Sequence, residues 1–73
     1  MDDRMVVIEA LAAHVSGPDA RRLADGLPEP YALPLLRASE LAEPGDFYAA
    51  TALPRERVDR VLDELGLPHP PFG

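Results

Sequence analysis

The stretch PRERVDRVLDELG, residues 54–66, decides the fold class of this sequence. Its apolar residues recur at the three- and four-residue spacing of a single helix face: Val58, Val61, Leu62 and Leu65. Pro54 suits the start of a helix because its missing N–H would have no partner there. Gly66 suits the end because glycine accepts a left-handed conformation. The pattern therefore predicts an amphipathic helix with a charged outer side.

The same periodicity is present at the start of the chain. It predicts a helix over about residues 3–15 and a second over about 18–25. Gly17, between Ser16 and Pro18, can take the left-handed cap that ends the first helix, and Gly26 and Pro28 end the second.

The middle of the chain is interrupted by proline. Pro34 has no backbone N–H, so we expect a clean helix to begin there and to reach about residue 42. Residues 29–33 would then form a turn or a short helix of their own. Asp46 is a suitable cap for a short fourth helix over residues 47–52.

No run of alternating β-branched residues predicts a strand. We therefore expect an all-α fold, a compact bundle of four or five short helices in residues 1–66, followed by an extended Pro-rich tail in 67–73. The core should be formed by the largest apolar residues of the helical stripes: Ile8, Leu11, Val15, Leu23, Val58, Val61, Leu62 and Leu65.

The length limits the chain to one domain with a small core. A chain of 73 residues buries only about 60% of the surface that it exposes when unfolded. There is no cysteine, so no disulfide adds stability. Small domains of this kind often gain stability from a partner, and we therefore expect a protein partner or a homo-oligomer.

The charge balance is acidic, with a net charge of −6, and this disfavours nucleic acid as a partner. No apolar run approaches the ~18 residues of a membrane span, and the start MDDR lacks the basic character of a signal peptide. We therefore expect a cytoplasmic protein that does not contact membranes. All seven basic residues are Arg, a usage typical of GC-rich bacterial coding sequences.

The residues that carry most enzyme chemistry are few and isolated. His14 and His69 have no cysteine or second histidine at a ligand spacing, and no nucleophile elbow or phosphate-binding glycine loop is present. We therefore expect no enzymatic activity, no metal and no cofactor.

Residues 47–62, FYAATALPRERVDRVL, resemble the helix-turn-helix of bacterial transcription regulators. The positions that hold the two helices of that motif together are apolar or small here: Phe47, Ala52, Leu53, Val58 and Val61. A DNA-binding regulator using residues 47–65 is therefore an alternative, with Arg55, Arg57 and Arg60 on the recognition helix. Tyr48 departs from the motif, which usually has a small residue there, and the segment is acidic.

Two stretches resemble half of DUF2267, a bacterial helical domain of unknown function. Residues 7–36, VIEALAAHVSGPDARRLADGLPEPYALPLL, are similar to its helix, Ser-Gly break, short Ala/Leu helix and Leu-Pro pair. Residues 47–65, FYAATALPRERVDRVLDEL, are similar to its Phe-led helix followed by a long amphipathic one. The resemblance implies a compact helical bundle and no particular activity.

Our main expectation is a non-catalytic protein-interaction module or small accessory subunit, which can also be self-associating. An acidic inhibitor or antitoxin that occupies a basic site is a third hypothesis, and PHPP at 68–71 fits the P-x-x-P spacing of a peptide ligand. Short helices in the middle of the chain should leave large apolar residues uncovered for protein binding: Tyr31, Leu35, Leu36, Phe47 and Tyr48.

Overall fold

Five α-helices form the framework of residues 2–71, the part of the chain that a computed structural model describes. No strand is present in these residues, and the predicted all-α bundle of short helices is confirmed. Residues 72 and 73, the end of the predicted tail, lie outside the described part, as does residue 1. The helices are α1 Asp3–His14, α2 Gly17–Ala24, α3 Glu29–Leu36, α4 Phe47–Thr51 and α5 Arg55–Leu65.

The expected left-handed cap at Gly17 is wrong, because α1 is capped by Val15 in an extended conformation and Gly17 is the first residue of α2.

Local signals in the sequence fix several other helix ends. The Asp46 carboxylate accepts a hydrogen bond from the Tyr48 N–H at 2.9 Å and so caps α4, as predicted. Gly66 ends α5 with a φ of 71°, also as predicted, and the following Leu67 N–H donates to the Leu62 carbonyl at 2.8 Å. Leu67 is buried, so the core includes a residue that the prediction assigned to the tail.

The third helix differs from the prediction. It begins at Glu29 and ends at Leu36, with Pro34 inside it, whereas we expected the clean helix to start at Pro34. Pro30 lies in the first turn, where a missing N–H costs nothing, and Pro34 removes only one further donor. Burial of Ala32 and Leu35 offsets that loss.

An irregular segment over residues 38–46 joins α3 to α4, where the prediction extended the helix to residue 42. It is held against the α1–α2 corner by backbone hydrogen bonds. The Glu43 N–H donates to the Ala13 carbonyl at 2.8 Å, and the Gly17 N–H donates to the Glu40 carbonyl at 3.3 Å. The chain therefore reaches α4 without another regular element.

Helix α1 is the centre of the bundle, because it packs against each of the other four helices. Ile8 and Leu11 on this helix are fully buried. Six of the eight predicted core residues are buried, whereas Leu23 and Leu65 lie at the edge of the core and are only partly covered. The prediction omitted Val7, Leu35 and Phe47, which are also buried.

None of the helices in residues 2–71 has both the length and the hydropathy that a bilayer span requires.

Candidate functional site

Helix α3 presents the apolar surface from which the candidate site is built. Gly26, with a φ of 87°, turns the chain at the end of α2, and Pro30 in the first turn fixes the backbone of α3 in a helical conformation. The helix packs on α1 and α2. Its inner residues, Ala32 and Leu35, are 8% and 0% exposed. The inner side of α3 is therefore a normal part of the core.

The outer side of α3 is also apolar. Leu33 is 36% exposed and Leu36 is 50% exposed, and exposed Pro30 lies one turn before Leu33. Residues three and four apart share one side of a helix, so these side chains form one stripe. We define the α3 face as the exposed set Glu29, Pro30, Leu33, Leu36 and Arg37.

A single charge stands at each end of the α3 face. Glu29 is in the first turn of α3, and Arg37 is its C-cap residue. Both signs are favourable to the helix dipole, which has its positive end at the N-terminus. Neither side chain forms an ion pair within residues 2–71. Both charges are therefore available to a partner.

Two of the five residues predicted for protein binding are not available on the surface. Leu35 is 0% exposed and Phe47 is 5% exposed, so the expectation that short helices leave them uncovered is wrong. Leu35 lies on the inner side of α3, and Phe47 begins α4, which packs against α1. Both side chains stabilise the core and offer almost no area to a second protein.

The two tyrosines of that set are half-buried, and each is engaged inside the chain. The Tyr31 hydroxyl donates to Asp2 Oδ2 at 3.4 Å, and the Tyr48 hydroxyl donates to Asp59 Oδ1 at 2.6 Å. Leu36 is thus the one predicted residue with a largely free side chain. Sequence reasoning missed Pro30 and Leu33, because the predicted helix began after both of them.

Tyr48 is fixed between α4 and α5. Its hydrogen bond to Asp59 raises the pKa of the phenol above its ordinary value, with smaller contributions from burial and from the Asp59 charge. The Arg55 guanidinium lies over the Tyr48 ring, 4.1 Å from its centroid. Tyr48 on α4 therefore links this helix to α5 through its contacts with Asp59 and Arg55.

The three arginines of the predicted recognition helix do not form one surface. Arg55 stacks on Tyr48, and Arg57 Nε lies 3.5 Å from Asp3 Oδ2 on α1. Residues two positions apart in a helix differ in direction by about 200°. Arg55 and Arg57 therefore point to nearly opposite sides of α5. Arg60 is exposed and forms no ion pair within the described part of the chain.

A cleft of about 300 Å³ separates the start of α1 from α5. Two ion pairs cross from one helix to the other, Arg4 to Glu64 at 3.0 Å and Arg57 to Asp3 at 3.5 Å. The hydrogen bond that Arg4 donates to Glu64, followed by the charge of Glu64, raises the pKa of Arg4. Three cationic and three anionic side chains line the cleft, so its formal charges cancel. It is lined by Asp2, Asp3, Arg4, Arg57, Arg60, Val61 and Glu64.

The histidines contact neighbouring oxygens. His14 Nδ1 lies 3.2 Å from the Glu43 carbonyl oxygen, and His69 Nε2 lies 2.7 Å from Asp63 Oδ1. Within residues 2–71, no group of three or more His, Cys, Asp or Glu side chains is arranged to hold a metal ion.

Comparison with protein-family models, with characterised proteins and with solved structures finds no match for this chain. The resemblance to DUF2267 therefore remains a prediction from the residues that suggested it.

Proposed function

We propose that this chain is a non-catalytic protein-interaction module or small accessory subunit, and that the α3 face is its contact surface. The observation that carries the proposal is the apolar character of α3 on both sides. Leu35 is 0% exposed on the inner side, and Leu36 is 50% exposed on the outer side. The bacterial, cytoplasmic setting expected from the composition belongs to the same proposal.

The physical reason lies in how apolar and polar residues are normally distributed around a surface helix. A helix at the surface of a globular protein has one apolar stripe and one polar side, and a helix that is apolar all round is usually buried. In α3 only the two ends of the outer side, Glu29 and Arg37, are charged. Burying the exposed parts of Leu33 and Leu36 would contribute on the order of 2 kcal/mol to a complex. A protein partner supplies that burial.

Site-specific photo-crosslinking in the cells that naturally make the protein tests this proposal. A photoreactive residue is placed at Leu33 or at Leu36, and in separate variants at Leu41 and Glu56. Leu41 is 82% exposed but outside α3, and Glu56 is exposed on α5. We expect discrete protein adducts from positions 33 and 36 and none from the controls. Adducts of equal yield from all four positions, or from none, would contradict the proposal.

DNA binding is the second candidate, and one observation favours it. Ala52 adopts a left-handed conformation, with a φ of 56°, in the turn between α4 and α5, and a helix-turn-helix needs a tight turn of this kind. The separate directions of Arg55 and Arg57 and the net charge of −6 count against it.

A duplex titration separates the two candidates. The protein and its Arg55→Ala/Arg57→Ala variant are added to labelled duplex at two salt concentrations. We expect no binding above the weak, sequence-independent level in either case. Tight binding that falls steeply with salt and is lost in the variant would replace the protein-contact proposal, because released counterions give DNA binding that salt dependence.

A further inference from the structure

The two charges of the α3 face are complementary to those on a second copy of the same face. Glu29 and Arg37 stand at opposite ends of the face, and Leu33 lies at its midpoint. A surface can pair with its own copy around a two-fold axis only if each of its parts meets its complement. The α3 face meets that condition, because a turn of 180° about Leu33 exchanges the negative end with the positive end.

We propose that the protein contacted by the α3 face is a second copy of this chain, with the two α3 helices antiparallel. The inference rests on the proposed function and names its partner. In this arrangement, Glu29 of each copy lies opposite Arg37 of the other. Pro30 lies opposite Leu36, and Leu33 meets Leu33 on the axis.

The same residues disfavour the other simple arrangement. Parallel α3 helices would place Glu29 against Glu29 and Arg37 against Arg37, and like charges at close range are repulsive. The antiparallel pair makes both contacts attractive and leaves the apolar stripe between them. Within residues 2–71 no ion pair competes for either charge.

The dimer is weak. An eight-residue helix is only about 12 Å long. The α3 face is therefore smaller than the roughly 800 Å² per partner of a standard interface. The net charge of −6 on each copy also opposes association at long range. We therefore expect a dissociation constant between about 10 µM and 1 mM, in the range of small transient contacts.

Sedimentation equilibrium of the full chain between about 10 µM and 1 mM, concentrations set by the expected affinity, is the first test. We expect a reversible monomer–dimer equilibrium that Leu36→Glu weakens at least tenfold. Leu41→Glu is the matched control, because it makes the same change at a more exposed leucine, 82% against 50%. A chain that stays monomeric throughout, or an equal loss in the Leu41 variant, would overturn the proposal. Helical circular dichroism verifies that both variants fold.

Charge reversal tests the antiparallel register itself. Glu29→Arg alone and Arg37→Glu alone should each weaken the homodimer about three- to tenfold, because each places two pairs of like charges in contact. An equimolar mixture of the two variants should restore the dimer, since every contact in the mixed pair is again attractive. Any effect of a substitution on the fold of its own chain is still present in the mixture. Restored dimerisation therefore reports only the contact between residues 29 and 37 of the two copies. A mixture as weak as its components would overturn the antiparallel pairing.

The outcomes also separate this inference from the proposed function. In the crosslinking experiment, adducts of twice the mass of the chain support the second copy as the partner. Adducts of another mass, together with a monomer in sedimentation, would overturn the second copy while supporting a protein contact at the α3 face. If positions 33 and 36 give no adducts at all, the proposed function itself fails.

Discussion

Helices α5 and α3 bury their inner sides equally well and differ in what they show to solvent. On α5, Val58 and Leu62 are 0% exposed, and the outer side is charged. On α3, Leu35 is equally buried, yet the outer side carries Pro30, Leu33 and Leu36.

The difference also extends to the partners of the outer residues. On α5, Glu64 forms an ion pair with Arg4, and Asp59 accepts a hydrogen bond from the Tyr48 hydroxyl. The charges of the α3 face have no ion pair in residues 2–71. Several outer side chains of α5 are therefore engaged inside the chain, whereas under our proposal the outer side of α3 is covered by a second molecule.

The largest expected effects test whether the two inner sides are equivalent. Leu62→Ala on α5 and Leu35→Ala on α3 should each lower the free energy of unfolding by about 2–5 kcal/mol, because both side chains are fully buried. Urea denaturation followed by circular dichroism measures both values. If the Leu35 variant were as stable as the parent, α3 would not be part of the core, and the comparison would fail.

This contrast explains what the sequence could predict. The apolar residues of α5 are confined to one side, so their period is visible in the sequence alone. Those of α3 lie on all sides and give no period, and Pro34 further obscures the helix start. Which of Leu35 and Leu36 faces inwards depends on how α3 lies on α1 and α2, and nothing local encodes that.

The candidate arginines illustrate the same limit over longer range. Arg57 was predicted to project from α5, but its partner Asp3 lies on α1, near the other end of the sequence. Arg4 and Glu64 are separated by 60 positions. Only the packing of α1 on α5 brings such pairs together, so helical spacing along α5 could not reveal them.

Tyr48→Phe should have a smaller effect, a loss of about 1 kcal/mol from the hydrogen bond to Asp59. The raised pKa of Tyr48 adds a pH dependence. The folded state favours the neutral phenol. The stability that the Tyr48 hydrogen bond contributes is therefore complete below the ordinary tyrosine pKa of 10.0. It is lost as the pH rises through the higher pKa of the folded state. As the pH rises above 10.0, the parent should therefore lose more stability than the variant. Parallel curves would show that Tyr48 does not clamp α4 to α5.

A substitution in the turn before α5 should raise the stability instead of lowering it. Ala52 has a φ of 56°, a left-handed conformation that costs a residue with a side chain about 1–2 kcal/mol. Ala52→Gly should therefore stabilise the protein by roughly 0.5–1 kcal/mol, after the entropy cost of glycine in the unfolded chain. Thermal and urea unfolding measure the change. A destabilised variant would mean that the turn is built differently.

A loss much smaller than that at Leu35 is expected on the α3 face. Leu36→Ala should lower the free energy of unfolding of the monomer by no more than about 1 kcal/mol, because only half of the side chain is buried. Unfolding at low micromolar concentration keeps the protein monomeric. A loss comparable to that of Leu35→Ala would mean that Leu36 is needed for the fold rather than for contact.

Methyl NMR spectra over a dilution series test the central claim most directly, since they observe each leucine separately. From 1 mM downwards, a range chosen for a weak dimer, the methyl signals of Leu33 and Leu36 should shift with concentration. Those of Leu41, which is 82% exposed, and of Leu62 in the core should stay constant. Shifts centred on Leu41 or on the residues of α5, with the α3 face unchanged, would contradict the account.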